Sequence, residues 1–181
     1  GAPTSPQYCV LAANGCVQVF AEGWYYWSPA SGAHYVTGRV LQAWSDRGSE
    51  TGDLGYPLRD TARDSVGGGD WTQFQGGLLY VDRKDRVWAL DPAGAAAYVD
   101  AKSSGNSLGA PIAERVCAAG GCTQQFSQGA IVQADGAPAQ YVAGAIGSAW
   151  LSAGGFGSPA GAPTGGMYCG LAQAGCLQSY S

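Results

Sequence analysis

Between Gly15 and Pro57 the apolar residues follow two periods in succession. Val17 and Val19 alternate with Gln18 up to Phe20, and the run Trp24-Tyr25-Tyr26-Trp27 follows a turn at Gly23, so both stretches are predicted as strands. Ser28-Pro29-Ala30-Ser31-Gly32 reverses the chain, and Ala33 to Val36 returns as a further strand. The spacing then lengthens: Val40, Leu41 and Trp44 fall three and four residues apart. That is a short helix, with Thr37 at its N-cap and Gly48 as its stop.

The same pattern comes back along the chain. A shift of 54 residues lays Phe74 on Phe20, Tyr80 on Tyr26, Tyr98 on Trp44 and Leu108 on Leu54, and a shift of 106 lays Phe126 on Phe20 and Trp150 on Trp44. Each copy closes on a short signature, read as Leu54-Gly55-Tyr56-Pro57, Leu108-Gly109-Ala110-Pro111 and Phe156-Gly157-Ser158-Pro159. Gly1-Ala2-Pro3 opens the chain on a truncated signature, and Gly175-Cys176-Leu177-Gln178-Ser179-Tyr180 near its end copies Gly15 to Phe20. The expectation is one repeat domain over residues 1–181, in units 1–54, 55–108 and 109–156 with a half-unit 157–181. Its class is mainly β with short helices, each unit of about 54 residues giving β-hairpins and one short helix. In the second unit Asp91 and Pro92 start the helix, and Asp82-Arg83-Lys84-Asp85 makes a charged, exposed hairpin tip.

Composition narrows the function. Gly at 30 residues and only 12% charged residues describe a turn-rich chain, while 46% hydrophobic and 11% aromatic residues spread along it exclude disorder. The net charge is -4 with no basic run, which argues against nucleic acid as a partner. No apolar stretch approaches the length of a bilayer span, and no signal peptide is visible, so a secreted form would already be processed or excised.

The six cysteines fall in three local pairs, Cys9 with Cys16, Cys117 with Cys122 and Cys169 with Cys176, each just before the Gln-containing strand of its copy. Neighbour pairing across hairpins is the expected disulfide connectivity. The second copy carries Arg63 and Asp70 at these positions, an opposite-charge pair suited to the same facing geometry. Zinc is the rival reading, against which stand the wrong spacings and a single histidine, His34. Disulfides imply an extracellular protein; no metal or cofactor is expected.

Leu54-Gly55-Tyr56-Pro57, with Gly32-Ala33-His34 and the strand Tyr26-Trp27-Ser28-Pro29, resembles the LGFP repeat of actinobacterial cell-surface proteins, and the resemblance covers essentially the whole chain. It implies a compact, propeller-like or closed array that holds envelope enzymes, such as mycolyltransferases and peptidoglycan amidases, on cell-wall polysaccharide. A catalytic domain in the same full-length chain is part of that implication, as is arabinogalactan or a peptidoglycan-linked glycan as the partner. The second unit departs from the pattern, with Val81-Asp82-Arg83 and Arg86-Val87-Trp88 in place of the Trp-Ser-Pro and Gly-Ala-His elements.

The candidate carbohydrate-binding residues are Gln18, Glu22, Trp24, Tyr26, Trp27 and His34. Consecutive strand aromatics point to opposite faces, so some of Trp24 to Trp27 must face outward, where rings can stack on sugars beside hydrogen-bonding Gln18 or Glu22. Packing between repeats is the competing use of those rings. The helical Trp44, Tyr98 and Trp150 are expected in the core. His34 would be the natural general base of an enzyme, but its counterparts are Trp88 and Gln140 and no nucleophile is marked beside it. A non-catalytic module that binds glycan weakly at several repeated sites is the expected function, with a protein-interaction scaffold as the alternative.

Overall fold

The computed structural model describes residues 1–181 throughout. Its strands form four separate antiparallel sheets. The first holds β1 (Tyr8–Leu11), β2 (Gly15–Phe20), β3 (Gly23–Ser28) and β4 (Gly32–Thr37) in meander order, followed by α1 (Gly38–Ser45). The second holds β5 (Ala62–Arg63), β6 (Asp70–Phe74), β7 (Gly77–Val81) and β8 (Val87–Leu90), followed by α2 (Pro92–Ser103). The third holds β9 (Val116–Ala118), β10 (Gly121–Phe126), β11 (Gly129–Ala134) and β12 (Gln140–Ala143), followed by α3 (Gly144–Ser152). A last hairpin pairs β13 (Tyr168–Leu171) with β14 (Gly175–Leu177). The mainly β repeat architecture expected from the sequence is the one observed, and each sheet is open rather than closed.

Two compact units result, Gly1–Pro92 and Ala93–Ser181, and their boundary cuts the second sequence repeat between its sheet and its helix. The packing in the first unit explains the cut. Strand pleating puts Trp24, Tyr26 and Val36 on one face of the first sheet, and Tyr26 meets Trp44 of α1 edge-on at 4.6 Å between ring centroids. On its other side α1 lies against β6 and β7, where Trp44 stacks on Phe74 at 5.2 Å and Leu79 and Val81 complete the cluster. The helix is therefore a filling between its own sheet and the next one. Burial of such side chains is worth about 1.5–3 kcal/mol each, so the sheet of the second copy is bound to the helix of the first.

The second unit repeats the device. Trp150 of α3 packs on Ala130, Val132 and Val142 of the sheet before it, and stacks on Tyr180 after it at 6.3 Å. Tyr98 of α2 approaches Phe126 at 5.9 Å, and Leu108 stands where a side chain on Gly129 would have to go.

The signatures lock each helix to the next strand. Pro3, Pro57, Pro111 and Pro163 form isolated bridges to Phe20, Phe74, Phe126 and Tyr180. Trp44 Nε1 donates to Gly55 O at 3.2 Å and Trp150 Nε1 to Gly161 O at 2.7 Å. The fourth signature is thus Ala160-Gly161-Ala162-Pro163, which corrects the assignment to Phe156-Gly157-Ser158-Pro159 and moves the unit boundary from 156 to 160. Phe156 instead lies in a 3-10 turn and packs edge-on against Trp150 at 5.4 Å. The letters misled because Ala160 has replaced the usual leucine, whereas Phe156-Gly157 imitates it. Tyr56 of the first complete signature also reaches back, donating its hydroxyl to Ala12 O at 2.5 Å across Gly15, where a Cβ would strike the phenol.

All six cysteines are bonded as expected, Cys9–Cys16, Cys117–Cys122 and Cys169–Cys176. Each joins the exposed first strand of its sheet to the second. Arg63 and Asp70 face each other across β5 and β6 in the equivalent place, with an ion pair at 3.1 Å. The tip of the second sheet differs from expectation in one respect. Asp82 is buried, because its carboxylate accepts the amides of Lys84 and Arg86 and the Arg86 Nε at 2.7 to 3.0 Å, leaving only the residues after it exposed.

Candidate functional site

The pleat of β3 sorts the candidate residues onto opposite faces. Trp24 stacks on Tyr26 at 6.1 Å on the α1 side; Tyr26 is buried there, and burial first, then the nearby Glu50 charge, pushes its phenol up to about 12. Both rings belong to the core. His34 shares that face through its pairing with Tyr26, at the sheet's margin. Its Nε2 donates to Ser31 O at 2.9 Å and its Nδ1 lies 3.3 Å from Asp60, so both ring nitrogens are engaged by neighbouring loops. Glu22 is exposed in the β2–β3 turn, where its backbone carbonyl accepts the Thr37 hydroxyl.

Gln18 and Trp27 are on the other face, and they have company. Tyr25 pairs with Gln18 on one side and Tyr35 on the other, and Trp27 pairs with Cys16 and Ala33. Phe20 meets Tyr25 edge-on at 5.3 Å, and Tyr25 lies tilted against Tyr35 at 4.9 Å. Tyr25 is 42% exposed and Trp27 39%. Beside them is a shallow cavity of about 240 Å³ lined by Gln7, Cys16, Gln18, Tyr25, Trp27 and Ala33, with no ionised side chain among them. Gln18 is held in place by donating its Nε2 to Ser5 O at 3.3 Å; Gln178 does the same to Gly165 O at 3.0 Å, so this bond is a recurring part of the fold. Its amide oxygen stays available as an acceptor.

The six candidates do not form one site: the structure unites Gln18 with Trp27, and leaves Trp24, Tyr26 and His34 on the opposite face. Tyr25, Tyr35 and Gln7 complete the group and went unrecognised in the sequence. Their signal was the two-residue parity of a strand, which couples Tyr25 to Trp27 and separates both from Trp24 and Tyr26.

The equivalent positions of the other copies are packed differently. In the second sheet the positions of Gln18, Tyr25 and Trp27 are Thr72, Leu79 and Val81, all buried, the last two against α1. In the third sheet Gln124 and Ile131, in the places of Gln18 and Tyr25, are buried, as is Tyr141 in the place of Tyr35, while Gln133, in the place of Trp27, is half-buried. The first sheet leaves this face more open than the second and third do.

A disulfide-clipped β repeat module with one aromatic, uncharged, shallow surface is the class these features define. A family model of the LGFP repeat matches residues 1–52 and 108–157, more than half of the chain, and the chain belongs to the LGFP repeat family. The matched stretches correspond to the first and third copies. The second copy, whose motifs are lost, keeps the same meander. A search of curated proteins found no match. No helix is long and apolar enough to cross a membrane, and the three disulfides are compatible with an extracellular protein.

Proposed function

We propose that this module binds a neutral glycan of the cell envelope on the outer face of its first sheet, and so anchors the protein that carries it. The observation that carries the reading is the pair of exposed rings, Tyr25 and Trp27, over a cavity whose polar side chains are the uncharged amides of Gln7 and Gln18 and the Tyr25 phenol. Rings of this kind stack on the C–H face of a sugar, while Gln7, Gln18 and the tyrosine hydroxyls supply donors and acceptors that suit ring hydroxyls. A shallow face of this kind binds modestly, and firm attachment to a polymer comes from several such faces engaged together.

The test is retention on insoluble actinobacterial cell walls, before and after chemical removal of the secondary polysaccharide, by wild type and by a Tyr25→Ala/Trp27→Ala variant. Retention that vanishes with the polysaccharide and with the substitutions is the expected result. Equal retention of the variant would refute the assignment of the face.

One observation favours a second reading, a polypeptide as the occupant. The corresponding face of the second sheet is covered by a helix, α1, through Phe74, Leu79 and Val81. Wall binding that persists after polysaccharide removal and is lost on protease treatment of the walls would move the assignment to a protein partner.

A further inference from the structure

Between the first two sheets the chain crosses on residues 58–61, and that crossing is tied to both sides. Leu58 N donates to Gln73 O of β6 and Thr61 N to Tyr35 O of β4, each at 2.8 Å. Asp60 Oδ1 accepts the Tyr35 amide at 3.0 Å and stands 3.3 Å from His34 Nδ1. A cleft of about 700 Å³ lies over the crossing, with Ala33 and His34 of β4 on one side and Trp71 and Gln73 of β6 on the other. Its volume is within the range of small-ligand sites, roughly 300–1,000 Å³. Leu58, Ala62 and the buried Trp71 make its apolar lining.

The charges of this cleft are arranged unlike those elsewhere in the first unit. Arg39, Arg47, Arg63 and Arg86 all meet carboxylates. Arg59 is followed directly by Asp60, yet the two do not pair: Asp60 turns to His34 and the Tyr35 amide, while Arg59 Nε donates to Gln73 Oε1 at 3.1 Å. That bond holds the guanidinium by one nitrogen and leaves its two terminal nitrogens without a partner in the fold. The Gln73 amide nitrogen and Asp60 Oδ2 are likewise unengaged. The cleft therefore presents a positioned two-pronged donor, a neutral amide donor and one carboxylate oxygen that accepts. In the next copy Ala113 and Trp88 stand in the places of Arg59 and His34, so this set does not recur there.

We infer that the cleft binds a carboxylate with hydroxyl groups beside it, the chemistry of a uronic acid residue. The guanidinium fork matches the two oxygens of a carboxylate. A phosphate polyanion suits the cleft poorly, since one arginine faces it and Asp60 repels the excess charge. The Asp60 oxygen accepts instead from a ring hydroxyl, and the apolar lining meets the C–H groups of the sugar. Neutral sugars lack the group that Arg59 is positioned to meet. This site is separate from the aromatic face of the first sheet and does not depend on the glycan reading.

The test titrates the protein as it stands with digalacturonate, followed by calorimetry and by NMR of the arginine Nε–H and tryptophan indole groups. The expected result is saturable binding with shifts at Arg59 and Trp71 while Trp27 stays in place. The dimethyl ester of the ligand and the Arg59→Gln variant should each lower affinity about tenfold, the size of a lost hydrogen bond to a charged group. Arg59 is exposed, and an unchanged melting temperature checks that the variant is folded. No saturable binding of digalacturonate, equal binding of its ester, or full binding by the folded variant overturns the inference. So does alanyl-alanine, a carboxylate without hydroxyls, if it binds as tightly as digalacturonate. Shifts confined to Tyr25 and Trp27 overturn it as well, whereas failure of the aromatic-face reading leaves the Arg59 shifts as expected.

Discussion

The outer faces of the first two sheets have the same backbone and opposite fates. On the first sheet the positions of β3 hold Tyr25 and Trp27, 42% and 39% exposed; on the second the same positions hold Leu79 and Val81, 0% and 1% exposed under α1. A repeated fold therefore does not imply a repeated site. What a position does depends on whether the preceding helix lies on it, and the side chains follow: aliphatic where a helix seals the face, aromatic and amide where it stays open.

The largest effect expected from this contrast is at the helix that makes it. Trp44→Ala removes the ring wedged between Tyr26 and Phe74, and urea unfolding should show a loss of about 3–5 kcal/mol, as for other buried Trp truncations. Trp27→Ala, on the open face, should change stability by less than about 1 kcal/mol.

Paired truncation of equivalent positions sharpens the comparison. Leu79→Ala should cost about 2–4 kcal/mol, and Tyr25→Ala little in the same assay. Similar losses at both would mean that the first face is also sealed in solution.

Acid separates the two hairpin tips. The first tip turns on the Ser28 hydroxyl, which accepts the Ser31 amide at 3.1 Å, and the second on the Asp82 carboxylate. Burial opposes the Asp82 charge, but the Arg86 and Lys84 amides and the Arg86 side chain outweigh it and hold this group at about 2. Since the folded value lies below the ordinary one of 3.8, the stabilisation is complete above pH 4 and disappears as pH falls through 2. About 2 kcal/mol of acid sensitivity should vanish in Asp82→Asn, measured as melting temperature against pH.

The two kinds of clip also separate the copies. Arg63→Ala breaks an exposed ion pair and should cost under about 1 kcal/mol, whereas the Cys9→Ala/Cys16→Ala variant, lacking the equivalent disulfide, should lose about 2–3 kcal/mol. Calorimetry of the two variants distinguishes these losses.

Much of this was legible in the sequence. Alternation gave β2 to β4, three- and four-residue spacing gave α1, and the local cysteine pairs with their Arg63–Asp70 substitute gave the clips, since each is a short-range constraint. The register of the fourth signature was not, because Ala160 withholds the leucine while Phe156-Gly157 mimics it. The site was half legible. Parity alone separates Tyr25 and Trp27 from Trp24 and Tyr26, but which face α1 covers is a long-range fact that no local pattern states. The same holds for the burial of Leu79, which reads as an ordinary strand residue until the helix of the previous copy is placed on it.

The most direct measurement of the glycan assignment is NMR of the tryptophan indoles, six in this chain, during titration with solubilised cell-wall polysaccharide. The Trp27 indole and the Tyr25 amide should shift with saturation while Trp44 and Trp150, in the cores, stay in place. Saturable shifts elsewhere with Trp27 unmoved, or no shifts at all, would contradict the account.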